Sequence, residues 1–116
     1  MCEYYIAHVG INCENEEEAL KGAKMFEALF GLTVKNGNSS VFAGTAVELN
    51  KKPGRGKNGH IAIGTPDVAA AVADLESRGF TFIPESARYE PDGTLNAIYI
   101  SEEICGFAVH LVGLKK

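Results

Sequence analysis

The amino-acid sequence predicts an α+β fold in which two β-α-β-β-β modules follow one another along the chain. Four short segments form two imperfect pairs: His-Val-Gly-Ile at 8–11 resembles His-Ile-Ala-Ile at 60–63, and Ala-Val-Glu-Leu at 46–49 resembles Ala-Val-His-Leu at 108–111. The order of strand and helix signals repeats between the halves in the same way. Because neither half buries both its helix and its sheet alone, we expect the halves to pack together.

The first module shows the signals of one strand, one helix and three short strands. A strand is expected at 4–12, which is rich in β-branched and aromatic residues. Asn15 followed by Glu18 is typical of a capping box at the start of a helix. The helix carries one apolar stripe, formed by Ala19, Ala23, Phe26 and Phe30. Gly31 should end it as a left-handed cap. Three strands are then expected, at 32–35, 39–43 and 45–50.

The second module repeats this order. A strand is expected at 60–64, and Thr65 with Pro66 indicates a helix start in which Thr65 is the cap. The second apolar stripe is formed by Val68, Ala71, Val72 and Leu75. Gly79 should end this helix. Further strands are expected at 80–83, 87–89, 95–101 and 107–112, and the stretch 84–94 is predicted to be a loop that lengthens the second module.

Length and composition favour one domain over residues 1–116, with a first module at 1–50, a linker at 51–59 and a second module at 60–116. Of the 116 residues 46% are apolar and the net charge is −4, which supplies a sizeable core and no basic surface for nucleic acid. No apolar run approaches the roughly 18 residues of a membrane span, and no signal peptide is apparent. The three cysteines form no Cys-x-x-Cys pair, so free thiols in the cytoplasm are expected.

Each of the paired segments carries one potential metal ligand. His8 and His60 lie on the first strand of each module, and Glu48 and His110 on the last. Because side chains alternate across a strand, the residues that share these faces can be listed: Ile6, Gly10 and Asn12 beside His8, Ala62 and Gly64 beside His60, Ala46 and Asn50 beside Glu48, and Ala108 and Val112 beside His110. Bulky apolar residues occupy the opposite faces and should pack on the helices. The ligand face is therefore predicted to be a roomy concave surface.

Three imidazoles and one carboxylate suit Zn²⁺, Ni²⁺, Fe²⁺ or Co²⁺, whereas Mn²⁺ is less favoured because nitrogen donors outnumber oxygens. A single histidine on a strand is usually an ordinary hydrogen-bonded residue, and Glu48 by itself also fits a solvated charge on an edge strand. Three histidines and one glutamate at matching repeat positions favour a metal site instead.

These segments resemble the vicinal oxygen chelate superfamily, which includes glyoxalase I, bleomycin-resistance proteins and extradiol dioxygenases. The resemblance spans nearly the whole chain and rests on Ala-His-Val-Gly-Ile at 7–11, Ala-Val-Glu-Leu at 46–49, Gly-His-Ile-Ala-Ile at 59–63 and Gly-Phe-Ala-Val-His-Leu at 106–111. It implies a cupped, partly open mixed β-barrel that binds a divalent metal. By that pattern the ligand positions fall on His8, Glu48, His60 and His110.

One position departs from the pattern of glyoxalase I, which carries a glutamate on its last strand where this chain has His110. Glutathione-dependent isomerisation of methylglyoxal hemithioacetal is therefore not expected. We expect Glu48 and His110 to be the catalytic residues of a glyoxalase-like lyase or isomerase, which acts on a small anionic oxo- or hydroxyacid through a metal-chelated enediolate. Two alternatives stay open: a binding module without turnover, and a non-haem iron dioxygenase.

A narrower resemblance concerns residues 36–44 and 56–64, which are similar to a glyoxalase-like domain associated with 2-keto-3-deoxy-6-phosphogluconate aldolase. It implies a functional link to sugar-acid metabolism. The predicted substrate-binding residues are Arg55, Lys57, Asn38 and Tyr99, of which Arg55 is suited to a carboxylate or phosphate. The superfamily resemblance also implies a homodimer.

Overall fold

Eight strands form one mixed sheet with two α-helices on one of its faces, in a computed structural model that describes residues 2–113. The strands are β1 (Tyr5–Asn12), β2 (Val34–Asn36), β3 (Ser40–Ala43), β4 (Val47–Asn50), β5 (Gly59–Thr65), β6 (Arg88–Tyr89), β7 (Leu95–Tyr99) and β8 (Phe107–Gly113). The helices are α1 (Glu16–Phe30) and α2 (Val68–Ser77). The strand order is β2-β3-β4-β1-β5-β8-β7-β6, with β2 and β6 as open edges. The predicted α+β fold with a cupped, open sheet is confirmed.

The two modules join through their first strands. β1 pairs antiparallel with β5, and within each module the first strand pairs parallel with the last, β1 with β4 and β5 with β8. The modules therefore pair within one chain, a point that the sequence left open. All four strands that carry predicted ligands become the central strands of the sheet.

The first helix follows its sequence signals closely. The Asn15 side chain accepts a hydrogen bond of 2.9 Å from the Glu18 amide, and Gly31 ends the helix with a φ of 70°. Only glycine adopts such a left-handed conformation without steric cost. The capping box differs in one bond, because the Glu18 carboxylate accepts from the amide of Glu14 at 3.0 Å.

The predicted cap of the second helix is wrong. β5 continues through Thr65, so the backbone is still extended there. Asp67 is the residue that caps α2, and its side chain accepts a hydrogen bond of 3.0 Å from the Ala70 amide. A carboxylate at this position satisfies one of the free amides of the first turn. Thr65 is buried instead, and its hydroxyl has no hydrogen-bond partner among the described residues.

The strand predicted at 80–83 is also wrong. Only an isolated bridge joins Phe82 to Ile100, and the chain then enters a short 3₁₀ helix at Pro84–Ser86. Pro84 lacks an amide hydrogen and so cannot continue a ladder of backbone hydrogen bonds. The predicted loop at 84–94 thus contains this 3₁₀ helix and β6.

A β-bulge at Ala7 changes one predicted face. Ile6 pairs with Ile63 and His8 with Ala62, so two steps along β1 match one step along β5. A Cβ atom on Gly64 would meet the ring of Tyr5, which places that ring on the ligand face. Tyr5, and not Ile6 as predicted, therefore shares the face of His8.

The core consists of two apolar clusters, one beneath each helix. The first joins α1 to Val41, Ala43 and Leu49, and the second joins α2 to Ile98 and Leu111. All of these strand residues lie on the face opposite the predicted ligands, as the alternation pattern predicts. Neither α1 nor α2 is long and apolar enough to cross a membrane.

Candidate metal centre

Strand register places the four predicted ligands in a staggered array on the ligand face. In one row His8 is paired with Ala62, and Ala62 with His110. In the adjacent row Gly10 lies between Glu48 and His60. Each candidate ligand is thus paired with a glycine or an alanine on at least one neighbouring strand. This spacing leaves room for the long side chains to lean towards one another above the sheet.

Three ligand atoms converge to form a triangle. The Nε2 atoms of His8 and His60 lie 3.2 Å apart, and Oε1 of Glu48 lies 3.4 Å from the first and 2.9 Å from the second. Bonds from such atoms to a divalent transition metal are about 2.0–2.2 Å long, so neighbouring ligand atoms on a tetrahedral or octahedral ion lie roughly 2.9–3.5 Å apart. The triangle therefore has the dimensions of one face of a coordination polyhedron.

His110 brings a third imidazole to the same place. One ring nitrogen from each of His8, His60 and His110 lies within 4.8 Å of the other two, so these three residues could hold a metal ion. The His110 ring is 5.5 Å from the His60 ring and 5.9 Å from the His8 ring, measured between centroids. The donor set has the nitrogen-rich chemistry expected for zinc, nickel, iron or cobalt.

Glu48 is held as an anion. Hydrogen bonding from His60 lowers the pKa of this carboxyl below its ordinary value, burial opposes that effect, and a second hydrogen bond from Ser40 lowers the pKa further. The Ser40 hydroxyl donates to Oε2 at 2.7 Å, which leaves Oε1 directed at the imidazoles. The carboxylate is thereby ready to bind a cation or accept a proton.

His110 is held as a neutral imidazole. Burial lowers its pKa from 6.5 to about 4, and the neighbouring His60 and His8 act in the same direction. Nδ1 lies 3.3 Å from the backbone oxygen of Leu111, which can only accept, so Nδ1 is the donor in that weak contact. Nε2 then keeps its lone pair for a metal or a proton.

Acid should destabilise the metal-free protein through His110. In an unfolded chain this histidine titrates near 6.5, and in the folded protein at about 4, so the unfolded chain binds the additional proton between these values. We expect the free energy of unfolding, measured by urea titration, to fall by about 2 kcal/mol from pH 6.5 to 4. The His110→Gln variant should lose most of that pH dependence, and an unchanged fall in the variant would contradict this assignment.

Two of the predicted substrate residues lie at the site. The Tyr99 ring is 4.7 Å from the His110 ring, and the Arg55 guanidinium lies over Tyr99 at 5.1 Å from the ring centroid. Asn38 is exposed in the turn before β3, and Lys57 is exposed in the loop before β5. Within residues 2–113 neither of their side chains hydrogen-bonds to the ligand cluster, so their substrate roles stay predictions.

Phe42 and Ser40 also adjoin the cluster, although the sequence did not indicate that they contact its ligands. The ring of Phe42 lies 5.9 Å from that of His8 in an edge-on arrangement, because Phe42 pairs with Glu48 across β3 and β4. Ser40, which fixes the Glu48 carboxylate, lies two residues earlier on the same face. Alternation along β3 shows that Ser40 and Phe42 share a face. Only the register of β3 against β4 shows that both residues lie beside Glu48.

Solved structures share this fold at low sequence identity. A hypothetical protein from Bacillus halodurans C-125 has a TM-score of 0.66 at 16% identity, over 98% of this chain and 96% of that chain. A variant of Streptomyces coelicolor methylmalonyl-CoA epimerase in complex with 2-nitronate-propionyl-CoA has a TM-score of 0.64 at 21% identity, over 96% and 97% of the two chains. Methylmalonyl-CoA epimerase from Mycobacterium tuberculosis has a TM-score of 0.63 at 18% identity, over 96% and 88%. No protein-family model matches the sequence, and no curated protein matches it.

The strand order and the structural neighbours together define the fold of this protein. Two paired β-α-β-β-β modules in one open sheet, shared with methylmalonyl-CoA epimerases over nearly their whole length, show the vicinal oxygen chelate fold. At these identities the likeness establishes the fold, and chemistry has to be argued from the site itself.

Proposed function

We propose that this protein is a divalent-metal-dependent isomerase or lyase of the glyoxalase type, which moves a proton on a carbon beside a carbonyl or hydroxyl group of a small anionic oxo- or hydroxyacid. The observation that supports this most strongly is the triangle formed by His8, His60 and Glu48, with the neutral His110 imidazole beside it. Epimerases among the structural neighbours also support chemistry of the isomerase type.

A metal ion would be held by His8, Glu48, His60 and His110. Their donor atoms fit such an ion, because the spacing of three of them matches neighbouring positions on one ion and the fourth is close by. When bound, the ion would supply Lewis-acid stabilisation for negative charge that develops on the substrate oxygens.

Glu48 and His110 would carry protons from two sides of the cluster. Glu48 lies on β4 and His110 on β8, with β1 and β5 between them, so their side chains reach the cluster from opposite directions. Glu48 is anionic and His110 is neutral at ordinary pH because of their lowered pKa values. Inversion at a carbon requires that one of them remove a proton while the other, having taken up a proton from solvent, returns one from the opposite side. His110 can take part in this transfer only when its Nε2 is not bound to the metal, because a metal-bound imidazole nitrogen has no lone pair for a proton.

Tyr99 would act as a hydrogen-bond donor beside His110. Burial raises the pKa of its hydroxyl, so the group stays protonated. Its ring packs at 4.7 Å from the His110 ring, which keeps the imidazole in one orientation. A protonated hydroxyl at this position is suited to donate to a substrate oxygen.

One observation favours a second candidate, a non-haem iron oxygenase. Two histidines and one carboxylate on a single face of an ion are the ligand set of that class. His8, His60 and Glu48 form such a face. If His110 does not bind the ion, three positions are left for oxygen and substrate, whereas four protein ligands leave at most two on an octahedral ion.

Metal analysis followed by deuterium exchange tests the proposal. We expect the purified protein to hold about one Zn²⁺, Ni²⁺ or Co²⁺ per chain, measured by elemental analysis. The loaded protein should exchange the hydrogen beside the carbonyl or hydroxyl group of small 2-oxo- or 2-hydroxyacids with D₂O, followed by NMR. Methylmalonyl-CoA belongs in the same panel because of the structural neighbours.

The outcomes separate the candidate functions. Exchange that disappears with EDTA and returns with metal supports the isomerase or lyase. Iron with oxygen uptake supports the oxygenase. A loaded protein that binds acids without exchange or oxygen uptake is a binding module. If no preparation takes up metal, both enzyme functions are wrong.

A further inference from the structure

Arg55 packs on the ring of Tyr99 from the loop between β4 and β5. Its guanidinium lies 5.1 Å from the centre of the Tyr99 ring, and that ring lies 4.7 Å from the His110 ring. The cation packs on Tyr99, and the two distances together place it within about 10 Å of the His110 imidazole. Packing on the Tyr99 ring restricts the orientation of the Arg55 side chain, although this residue is exposed to solvent.

Asn12 fixes the backbone on both sides of Arg55. Its side-chain oxygen accepts from the Gly54 amide at 3.2 Å, and its side-chain nitrogen donates to the Gly56 oxygen at 2.9 Å. Asn50 donates to the same side-chain oxygen at 3.1 Å. Since Asn12 lies on the strand and face of His8, the position of the Arg55 loop is tied to that of the metal centre.

A second arginine lies on the same face of the sheet as Tyr99. Arg88 on β6 pairs with Ala97, and Ala97 shares its face with Tyr99 two residues along β7. The two cations both act on the Tyr99 hydroxyl: burial raises its pKa, and the charges of Arg55 and Arg88 oppose that rise. Arg55 packs on the Tyr99 ring, and Arg88 lies on the ligand face near enough for its charge to act on the Tyr99 hydroxyl.

Among the described residues, neither arginine forms an ion pair with an acidic side chain. In the part of the chain that the structure describes, no carboxylate lies within 4.0 Å of the guanidinium of Arg55 or Arg88, whereas Arg78 is paired with Asp74 at 2.9 Å and Lys51 with Glu16 at 2.7 Å. Two guanidinium groups without such an ion pair, both near Tyr99, present fork-shaped donors that match a carboxylate or phosphate.

We propose that Arg55 and Arg88 bind a second anionic group of the substrate, remote from the oxygens that face the metal ligands. This inference rests on the proposed function and defines its substrate class: an acid with chelating oxygens at one end and a carboxylate or phosphate several bonds away. Arg55 contacts Tyr99, and Tyr99 is the ring neighbour of His110, so the tail would extend from the metal ligands towards Tyr99. Asn12 is a positioning residue for this anion site.

A series of paired acids tests the proposal on the metal-loaded protein. Oxaloacetate, 2-oxoglutarate and 2-oxoadipate share one chelating end and place a carboxylate at increasing distance, and 2-oxobutyrate, 2-oxovalerate and 2-oxohexanoate are their counterparts with neutral tails. We expect calorimetry to show about tenfold tighter binding for one dicarboxylate than for its counterpart, the effect of one charge-assisted hydrogen bond.

Variants assign that preference to its residues. Arg55→Gln and Arg88→Gln should each reduce the tenfold ratio to near unity, and Asn12→Ala should lower it without changing the affinity for the neutral-tailed acids. Lys52→Gln removes one charge from the same exposed loop and should keep the ratio. Equal affinities within all three pairs, or a ratio that survives both arginine substitutions, would overturn the proposal.

Inorganic phosphate gives a test that does not depend on metal. In the metal-free protein, phosphate should shift the side-chain Nε–H NMR signals of Arg55 and Arg88 in a saturable way, and the Arg55→Gln variant should lose the response at Arg88. An absence of any shift would show that the arginines form no anion site. Failure to load metal, with phosphate binding intact, would contradict the proposed function alone. A preference for phosphate over carboxylate tails would identify the tail as phosphate.

Discussion

Gly10→Ala should abolish tight metal binding. A Cβ atom at this position would overlap the His60 imidazole and lie 2.6 Å from its Nε2, a separation that nonbonded atoms do not tolerate. The ring would have to leave the position at which it faces Glu48 at 2.9 Å. We expect the affinity for Zn²⁺ or Ni²⁺, measured by competition with a chelator, to fall about 100-fold or more.

Gly54→Ala is the matched control for this change. A Cβ atom on Gly54 meets nothing within 4 Å, so metal affinity should stay unchanged. A second measurement separates steric displacement from general unfolding: the loss of stability caused by Gly10→Ala should shrink in a His60→Ala background, where the overlapping ring is absent. Unchanged metal affinity in folded Gly10→Ala protein would show that His60 does not need this space.

Glu48→Gln should stop proton transfer while some metal binding survives. The substitution keeps the size of the side chain and removes both its charge and its ability to accept a proton at ordinary pH. We expect exchange of the substrate hydrogen to fall by about 1,000-fold. Metal affinity should fall less, by about 10- to 100-fold, since three imidazoles stay in place.

Glu27→Gln serves as the control for loss of one carboxylate, because Glu27 is exposed on α1. Its exchange rate and metal affinity should match those of the unmodified protein. Normal turnover in the Glu48→Gln protein would exclude Glu48 as the proton carrier. If metal affinity and turnover fell by the same factor in this variant, Glu48 would act only as a metal ligand.

Local signals in the sequence predicted most of the elements. Asn15 and Gly31 mark the ends of α1 because caps depend on residues a few positions apart. The errors arose where longer-range pairing decided the outcome. β5 extends through Thr65 since β8 pairs with it as far as Gly113, so Asp67 and not Thr65 caps α2. The bulge at Ala7 brought Tyr5 to the ligand face because β1 had to match the register of β5.

The sequence by itself determined the type of each ligand candidate, its strand and its face, because alternation along a strand is a local property. It also indicated that Glu48 and His110 occupy matching places in the two modules. Only the tertiary structure decided that all four meet, since strand order and register are set by packing between distant segments. The tertiary structure also brings Gly10 beneath the His60 ring and Asn12 against the Arg55 loop. The partners lie about fifty and about forty positions away in the sequence, so the pattern within one strand does not predict these contacts.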